Sequence, residues 1–216
     1  MTSPNDTPIE PIDDACQTMA ACQRAGVQRF LVLDFDGVLN SLMRHGTFPD
    51  GTFWPVETEL VPAMFAGEEY VFRIQYSPEL IRRLNGLLAD PGVQLVWLTS
   101  WQIQIRRVER MLGIEPRRRG IVLMYPVAAY DNQSGKGEGL RAFQAGAAGG
   151  ARVAWIDDDF LADWRGPVAD TVADALPTQR AADVLTICPN ADHGINRAEW
   201  DAVEAWLGAG PDHQLT

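Results

Sequence analysis

The sequence predicts an α/β fold, a doubly wound and mainly parallel five-stranded sheet, and three observations carry that expectation. Five short apolar runs, Phe30 to Leu33, Val93 to Leu98, Ile121 to Met124, Val153 to Ile156 and Val184 to Cys188, are continuous rather than alternating, the pattern of strands buried on both faces. Helix-like stretches at 78–89, 102–112, 137–147 and 197–208 lie between and after them, as crossover helices do in a parallel sheet. Two of the runs end abruptly in acids, at residues 34–36 and 157–159, and in such sheets ligands bind beyond the carboxyl ends of the strands.

Taken in order, residues 1–12 are rich in Pro, Thr, Asn and Asp and read as a disordered start without the basic and apolar regions of a secretory signal. Residues 13–25 suit an amphipathic helix that stops at Gly26. One domain is expected over 13–210, with 211–216 as a tail. Residues 41–76 break the strand–helix rhythm. Asp50-Gly51, flanked by Phe48, Phe53 and Trp54, predicts a β-hairpin flap turning there. The segment Tyr70 to Tyr76 alternates like a further strand, and the whole insertion after the first strand is too short for an independent lid domain. Ser77-Pro78 forms an N-cap and first-turn pair, and Asn196 is placed to cap the last helix.

The net charge of −11 disfavours nonspecific binding to nucleic acid or anionic membrane. Six arginines between Arg106 and Arg119 face only Glu109 and Glu115. Their spacing suits a solvated helix face better than a polyanion grip. No apolar run approaches the ~20 residues that span a bilayer. Cys16, Cys22 and Cys188 fit neither a disulfide framework nor a zinc spacing. A soluble, cytoplasmic protein is expected.

The chemistry is carried by four segments: DFDGVLN at 34–40, LVWLTSW at 95–101, SGKG at 134–137 and VAWIDDD at 153–159. The third holds Lys136, the one lysine beside seventeen arginines. A compact ammonium among carboxylates acts as a point charge, which the wide guanidinium fork does not. If Asp34, Asp36, Asp157 and Asp158 converge to ~4 Å, each pair repels by about 4 kcal/mol at an effective dielectric near 20. A cation must relieve that repulsion, and a set of oxygen donors without His or Cys favours Mg²⁺.

In order and in placement at strand ends, these segments resemble the four motifs of the haloacid dehalogenase-like (HAD) superfamily, over roughly residues 29–208. The resemblance implies that Asp34 attacks phosphorus to form an aspartyl-phosphate and that Asp36 is the general acid and base. An acid at Asp36 speaks against the dehalogenase and ATPase branches. Thr99 would bind a phosphoryl oxygen, with Ser100 as the one-residue-slip alternative, and Gly37 and Lys136 would also face the phosphate. Mg²⁺ would be held by Asp34, the Asp36 backbone carbonyl and Asp157, and Asp158 would act through water or by holding Lys136.

The implied activity is Mg²⁺-dependent hydrolysis of a phosphomonoester. A phosphotransferase with the same intermediate is a rival reading, and so is a phosphate-binding regulatory module without turnover. The YSPEL and WLTSW segments further resemble phosphatase domains associated with RNA-repair proteins. Small metabolites and nucleotides, a phosphorylated nucleic-acid end and a phosphoprotein all stay open as substrates. Trp101 either stacks on a base or is a core or rim aromatic. Gly194 and Asn196 either line the site or serve as loop and cap, and no role is assigned to His45, His193 or His213.

Overall fold

The computed structural model describes residues 27, 29–43, 52–65, 67–116, 120–123, 136, 143, 151–158 and 184–208. Five strands, β1 (Arg29–Leu33), β4 (Val93–Trp97), β5 (Ile121–Val122), β6 (Arg152–Ile156) and β7 (Val184–Ile187), form one sheet in the order β5-β4-β1-β6-β7. Every pairing in it is parallel. The first strand is central, β4 adds on one side and β6 on the other, so the winding direction reverses at β1. That reversal opens a crevice at the carboxyl ends of β1 and its neighbours.

Continuous apolar strands need cover on both faces, and alternate residues supply it. Leu31, Leu33, Leu95, Trp97, Ala154 and Ile156 enter one buried cluster with the helices, and Phe30, Val32, Val96, Leu98, Val153 and Trp155 enter a second on the opposite face. Phe143 covers the second face, edge-on to Phe30 at 5.1 Å between ring centroids.

Helix α1 (Pro78–Leu88) begins as the sequence predicts, with the Leu80 amide donating to Ser77 Oγ at 3.4 Å and proline in the first turn. It buries Leu80, Ile81, Leu84 and Leu88, worth about 2 kcal/mol for each side chain removed from water. Helix α2 (Ile105–Leu112) is shorter than the predicted 102–112 because the chain first makes a 3₁₀ turn over Gln102–Gln104. Gln102 has φ 45° there, a left-handed conformation that an α-helix cannot include. Helix α3 (Arg197–Gly208) starts with a reciprocal cap: the Glu199 amide donates to Asn196 Oδ1 at 2.9 Å and the Asn196 amide to Glu199 Oε2 at 2.8 Å. Burial of the Glu199 carboxyl pushes its pKa up, while the Asn196 amide lowers it.

The insertion contains one antiparallel hairpin among the described residues, β2 (Glu57–Phe65) and β3 (Glu68–Tyr76). Its turn includes Gly67 at φ 85°. The turn expected at Asp50-Gly51 lies outside the described residues, as do the helix predicted at 13–25, residues 1–12 and the 211–216 tail. Of the helix predicted at 137–147, only Phe143 is described, and it is helical. Val61, Ala63 and Ile74 point into the core, whereas Leu60, Met64 and Val71 are exposed. No helix among the described residues is long and apolar enough to cross a membrane.

Gly194 shows how the last loop supports the first. It has φ 72°, and a Cβ placed on it would lie 2.6 Å from the Val38 carbonyl oxygen, which already accepts from the Ile195 amide at 3.0 Å. Gly194→Ala is expected to cost about 1–2 kcal/mol from the left-handed backbone alone, with the collision adding to it. Urea unfolding measures this, and a wild-type midpoint would show that the loop accommodates a side chain freely.

Candidate active site

The sheet register assembles the site. Leu33 pairs with Ile156 across β1 and β6, so the residues that follow, Asp34 and Asp157, emerge side by side. The Asp34 amide extends the ladder by donating to the Ile156 carbonyl at 2.9 Å, and the Asp157 amide donates to the Ile187 carbonyl at 3.2 Å. Asp34, Asp157 and Asp158 each place a carboxylate oxygen within 4.8 Å of the others. Asp34 and Asp157 are both buried, and Asp157 is fully so.

Lys136 meets them from a helical position and is 8% exposed. Its Nζ donates to Asp34 Oδ2 and reaches both Asp157 oxygens, at 3.2 and 3.0 Å. One ammonium therefore bridges the two central strands' acids. Removing buried carboxylates from water is costly unless opposite charge and hydrogen bonds compensate. The lysine supplies part of that compensation, and the Phe35 amide supplies another part by donating to Asp34 Oδ1 at 2.6 Å.

After Asp34 the chain makes a tight turn in which the Val38, Leu39 and Asn40 amides all donate to the Phe35 carbonyl. Gly37 has φ 69°, and a Cβ there would collide with the Asp158 carboxylate. Glycine thus lets the turn pass under the acid. The turn presents Asp36, half-buried, with both carboxylate oxygens occupied: Asn40 Nδ2 donates to Oδ1 at 2.6 Å and Trp101 Nε1 to Oδ2 at 2.8 Å. Burial raises the Asp36 pKa and the Asp34 charge raises it further, while Asn40, Trp101 and Lys136 act in the opposite direction. The net direction is upward.

Thr99 follows the end of β4, where the Leu98 amide donates to the Leu33 carbonyl at 2.8 Å. This sets it beside the Asp34 strand end. It is fully buried, and the Trp101 amide approaches its Oγ1 at 3.4 Å. Ser100 is half-buried. Cys188, a free thiol at the end of β7, donates to the Asp158 carbonyl at 3.3 Å and ties that acid to the sheet edge.

The structure brings Asp34, Asp36, Asp157, Asp158, Lys136 and Gly37 together at one rim. It also decides between readings that the sequence left open. Trp101 is only 3% exposed, so stacking on a base is excluded in this conformation, and its indole serves Asp36 instead. His193, to which the sequence assigns no role, stacks on Phe53 at 4.4 Å and shares a hydrogen bond with Asn190 at 3.1 Å. Gly194 is a loop support and Asn196 a cap. In the arginine run, Arg106 binds Glu109 and the Gly120 carbonyl, and Arg107 donates to the Pro62 carbonyl at 2.8 Å. Arg110 is exposed, and residues 117–119, His45, His213 and Asp159 lie outside the described residues. The contacts of Asn40 and Trp101 with Asp36 were not read from the sequence. The one available signal was a polar side chain four residues after Asp36 in the same tight turn.

Three carboxylates with no His or Cys among them form a donor set suited to a hard, oxygen-seeking divalent cation. A parallel sheet of this order, with Asp-x-Asp-Gly on its central strand and a lysine bridging to the acids of the next, is the arrangement of the haloacid dehalogenase-like superfamily. Within that superfamily the chain belongs to the family described as the HAD domain in Swiss Army Knife RNA repair proteins, whose model matches residues 30–200. No curated protein and no solved structure matches the chain at a significant level.

Proposed function

We propose that the protein is a Mg²⁺-dependent phosphohydrolase that cleaves a phosphomonoester through an aspartyl-phosphate on Asp34. The observation that carries this reading is the Lys136 ammonium bridging Asp34 and Asp157 beside a third carboxylate. A module that only bound phosphate would gain nothing from surrounding the anion's place with three carboxylates. Asp34 and Asp157, with Asp158 and the Asp36 carbonyl, would hold the cation, which when bound supplies positive charge against the phosphoryl oxygens.

In the first step an Asp34 oxygen bonds to phosphorus while the bond to the leaving oxygen breaks. Asp36 gives that oxygen its proton. Its raised pKa favours the protonated form that this task needs. In the second step Asp36 takes a proton from water, the water oxygen bonds to phosphorus, and the bond to Asp34 breaks. Phosphate leaves and both aspartates are restored. Lys136 offsets charge on Asp34 and the phosphoryl group throughout, and Thr99 or Ser100 donates to a phosphoryl oxygen.

For substrate, the family's RNA-repair description supports a phosphorylated RNA end. The exposed Glu57, Glu59, Glu68 and Glu69 of the hairpin and the net charge of −11 favour a small nucleotide or metabolite. Phosphate release should be measured from 3′- and 5′-phosphorylated oligoribonucleotides, nucleoside monophosphates and small phosphomonoesters. Release that EDTA stops and excess Mg²⁺ restores is expected for at least one of these classes. Silence across the panel in Mg²⁺ would overturn the hydrolase reading.

A further inference from the structure

Asp36 is held by two donors that reach it from different parts of the chain. Asn40 Nδ2 lies 2.6 Å from Oδ1, and Trp101 Nε1 lies 2.8 Å from Oδ2. An amide NH₂ and an indole N–H only donate, so neither competes for a proton on the carboxyl group. A carboxyl oxygen has room to accept from one donor and still carry or release a proton on its other side. Orientation is therefore preserved whether Asp36 is charged or neutral.

Both donors are themselves anchored on strand β3 of the hairpin. Asn40 Oδ1 accepts from the Gln75 amide at 2.8 Å, and the Ser41 amide donates to the Gln75 carbonyl at 2.8 Å. Trp101 is clasped between Phe72 of the same strand, at 4.8 Å between centroids, and Phe35 at 5.6 Å. Burying an indole at the rim of a polar site costs conformational freedom and needs a partner for its N–H. The partner here is the side chain that the proposed chemistry uses as its acid.

We propose that Trp101 and Asn40 are positioning residues that clamp the Asp36 carboxyl group toward the leaving oxygen, with strand β3 as their common anchor. The proposal rests on the phosphohydrolase reading for its catalytic consequence, though the clamp itself is a matter of geometry. An acid matters most when the leaving group is poor. Losing its aim should slow an alkyl phosphate much more than a dinitrophenyl phosphate, whose leaving group departs unprotonated.

The test compares full-length wild type, Trp101→Phe, Asn40→Ala and Asp36→Asn on both substrates in Mg²⁺. Trp101→Phe is expected to lower kcat/KM for the alkyl phosphate by about 10- to 100-fold, within the range of general acid catalysis, and for the dinitrophenyl phosphate by less than about 3-fold. Asn40→Ala should show the same asymmetry. In the Asp36→Asn background Trp101→Phe should add little, because a residue acting through Asp36 loses its means of action. Equal losses on both substrates, or full additivity with Asp36→Asn, would show a merely structural tryptophan and overturn the clamp.

A second readout needs neither metal nor turnover. The Trp101 indole ¹H–¹⁵N resonance, assigned by its loss in Trp101→Phe, should move when Asp36→Asn replaces the carboxyl oxygen that accepts from it. An unmoved resonance overturns the clamp even in an active enzyme. Wild type that turns over neither phosphate, with the indole shift observed, would sink the phosphohydrolase reading and leave the contact standing.

Discussion

Asp34→Asn is expected to lower phosphate release from an aryl phosphate in Mg²⁺ by at least about 10⁴-fold, the scale on which loss of a nucleophile acts, without unfolding the protein. The amide is nearly isosteric with the carboxylate but carries no charge to bring to phosphorus. Its oxygen can still accept from the Phe35 amide, which now donates at 2.6 Å. Lys136 keeps its two contacts with Asp157. Removing one of three crowded acids also removes its repulsion with the other two, which offsets the lost ion pair with Lys136, so the metal-free variant should unfold near the wild-type midpoint. Phosphate release read beside thermal unfolding separates the two effects. Turnover near the wild-type rate in a folded Asp34→Asn variant would transfer the nucleophile's role elsewhere.

What the sequence made visible follows from how local each signal is. Parallel strands covered on both faces read as unbroken apolar runs, and the acids that end β1 and β6 are adjacent in sequence to those runs. The two acidic groups and their place at strand ends were therefore legible. Their adjacency was not, since it depends on β6 pairing beside β1 in register Leu33 with Ile156. The superfamily resemblance supplied that juxtaposition in place of any local pattern.

The hairpin expected at Asp50-Gly51 turns outside the described residues; the described hairpin is a separate one that turns at Gly67, and only its second strand, around Tyr70 to Tyr76, was read from the sequence. Its first strand, ETELVPAMF, hides the turn because it opens with two exposed glutamates and carries Pro62 in the middle. Proline is tolerated there because each member of a two-stranded sheet has a free edge. Trp101 was ambiguous for a different reason. A large aromatic after a strand is equally at home in a core or against a ligand, and only the sixty-five residues of separation closed by its bond to Asp36 decide between them. The start of α2 was placed too early because helical spacing carries no record of the left-handed Gln102.

Lys136 makes the sharpest test because it is expected to act on both stability and rate. Its Nζ lies between carboxylates that are almost wholly shielded from water. Lys136→Met would leave them facing one another without the ammonium. Breaking a buried ion pair from one side costs about 3 kcal/mol or more, so the metal-free Lys136→Met variant should unfold at a clearly lower temperature than wild type. A divalent cation binding the folded state alone would offset that loss through mass action. Added Mg²⁺ should therefore raise the midpoint of the variant more than that of wild type. Lys136→Arg retains the charge and should recover much of the stability, but its planar fork spreads that charge over a wider group than the site accommodates. Its rate of phosphate release is expected to fall by about 10²-fold or more, comparable to removing one preorganised donor to a developing anion. Unfolding scans with and without Mg²⁺, run beside phosphate release for both variants, distinguish the outcomes. Lys136→Met as stable as wild type, or Lys136→Arg turning over at the normal rate, would mean that the ammonium's place between Asp34 and Asp157 is not what holds or drives the site.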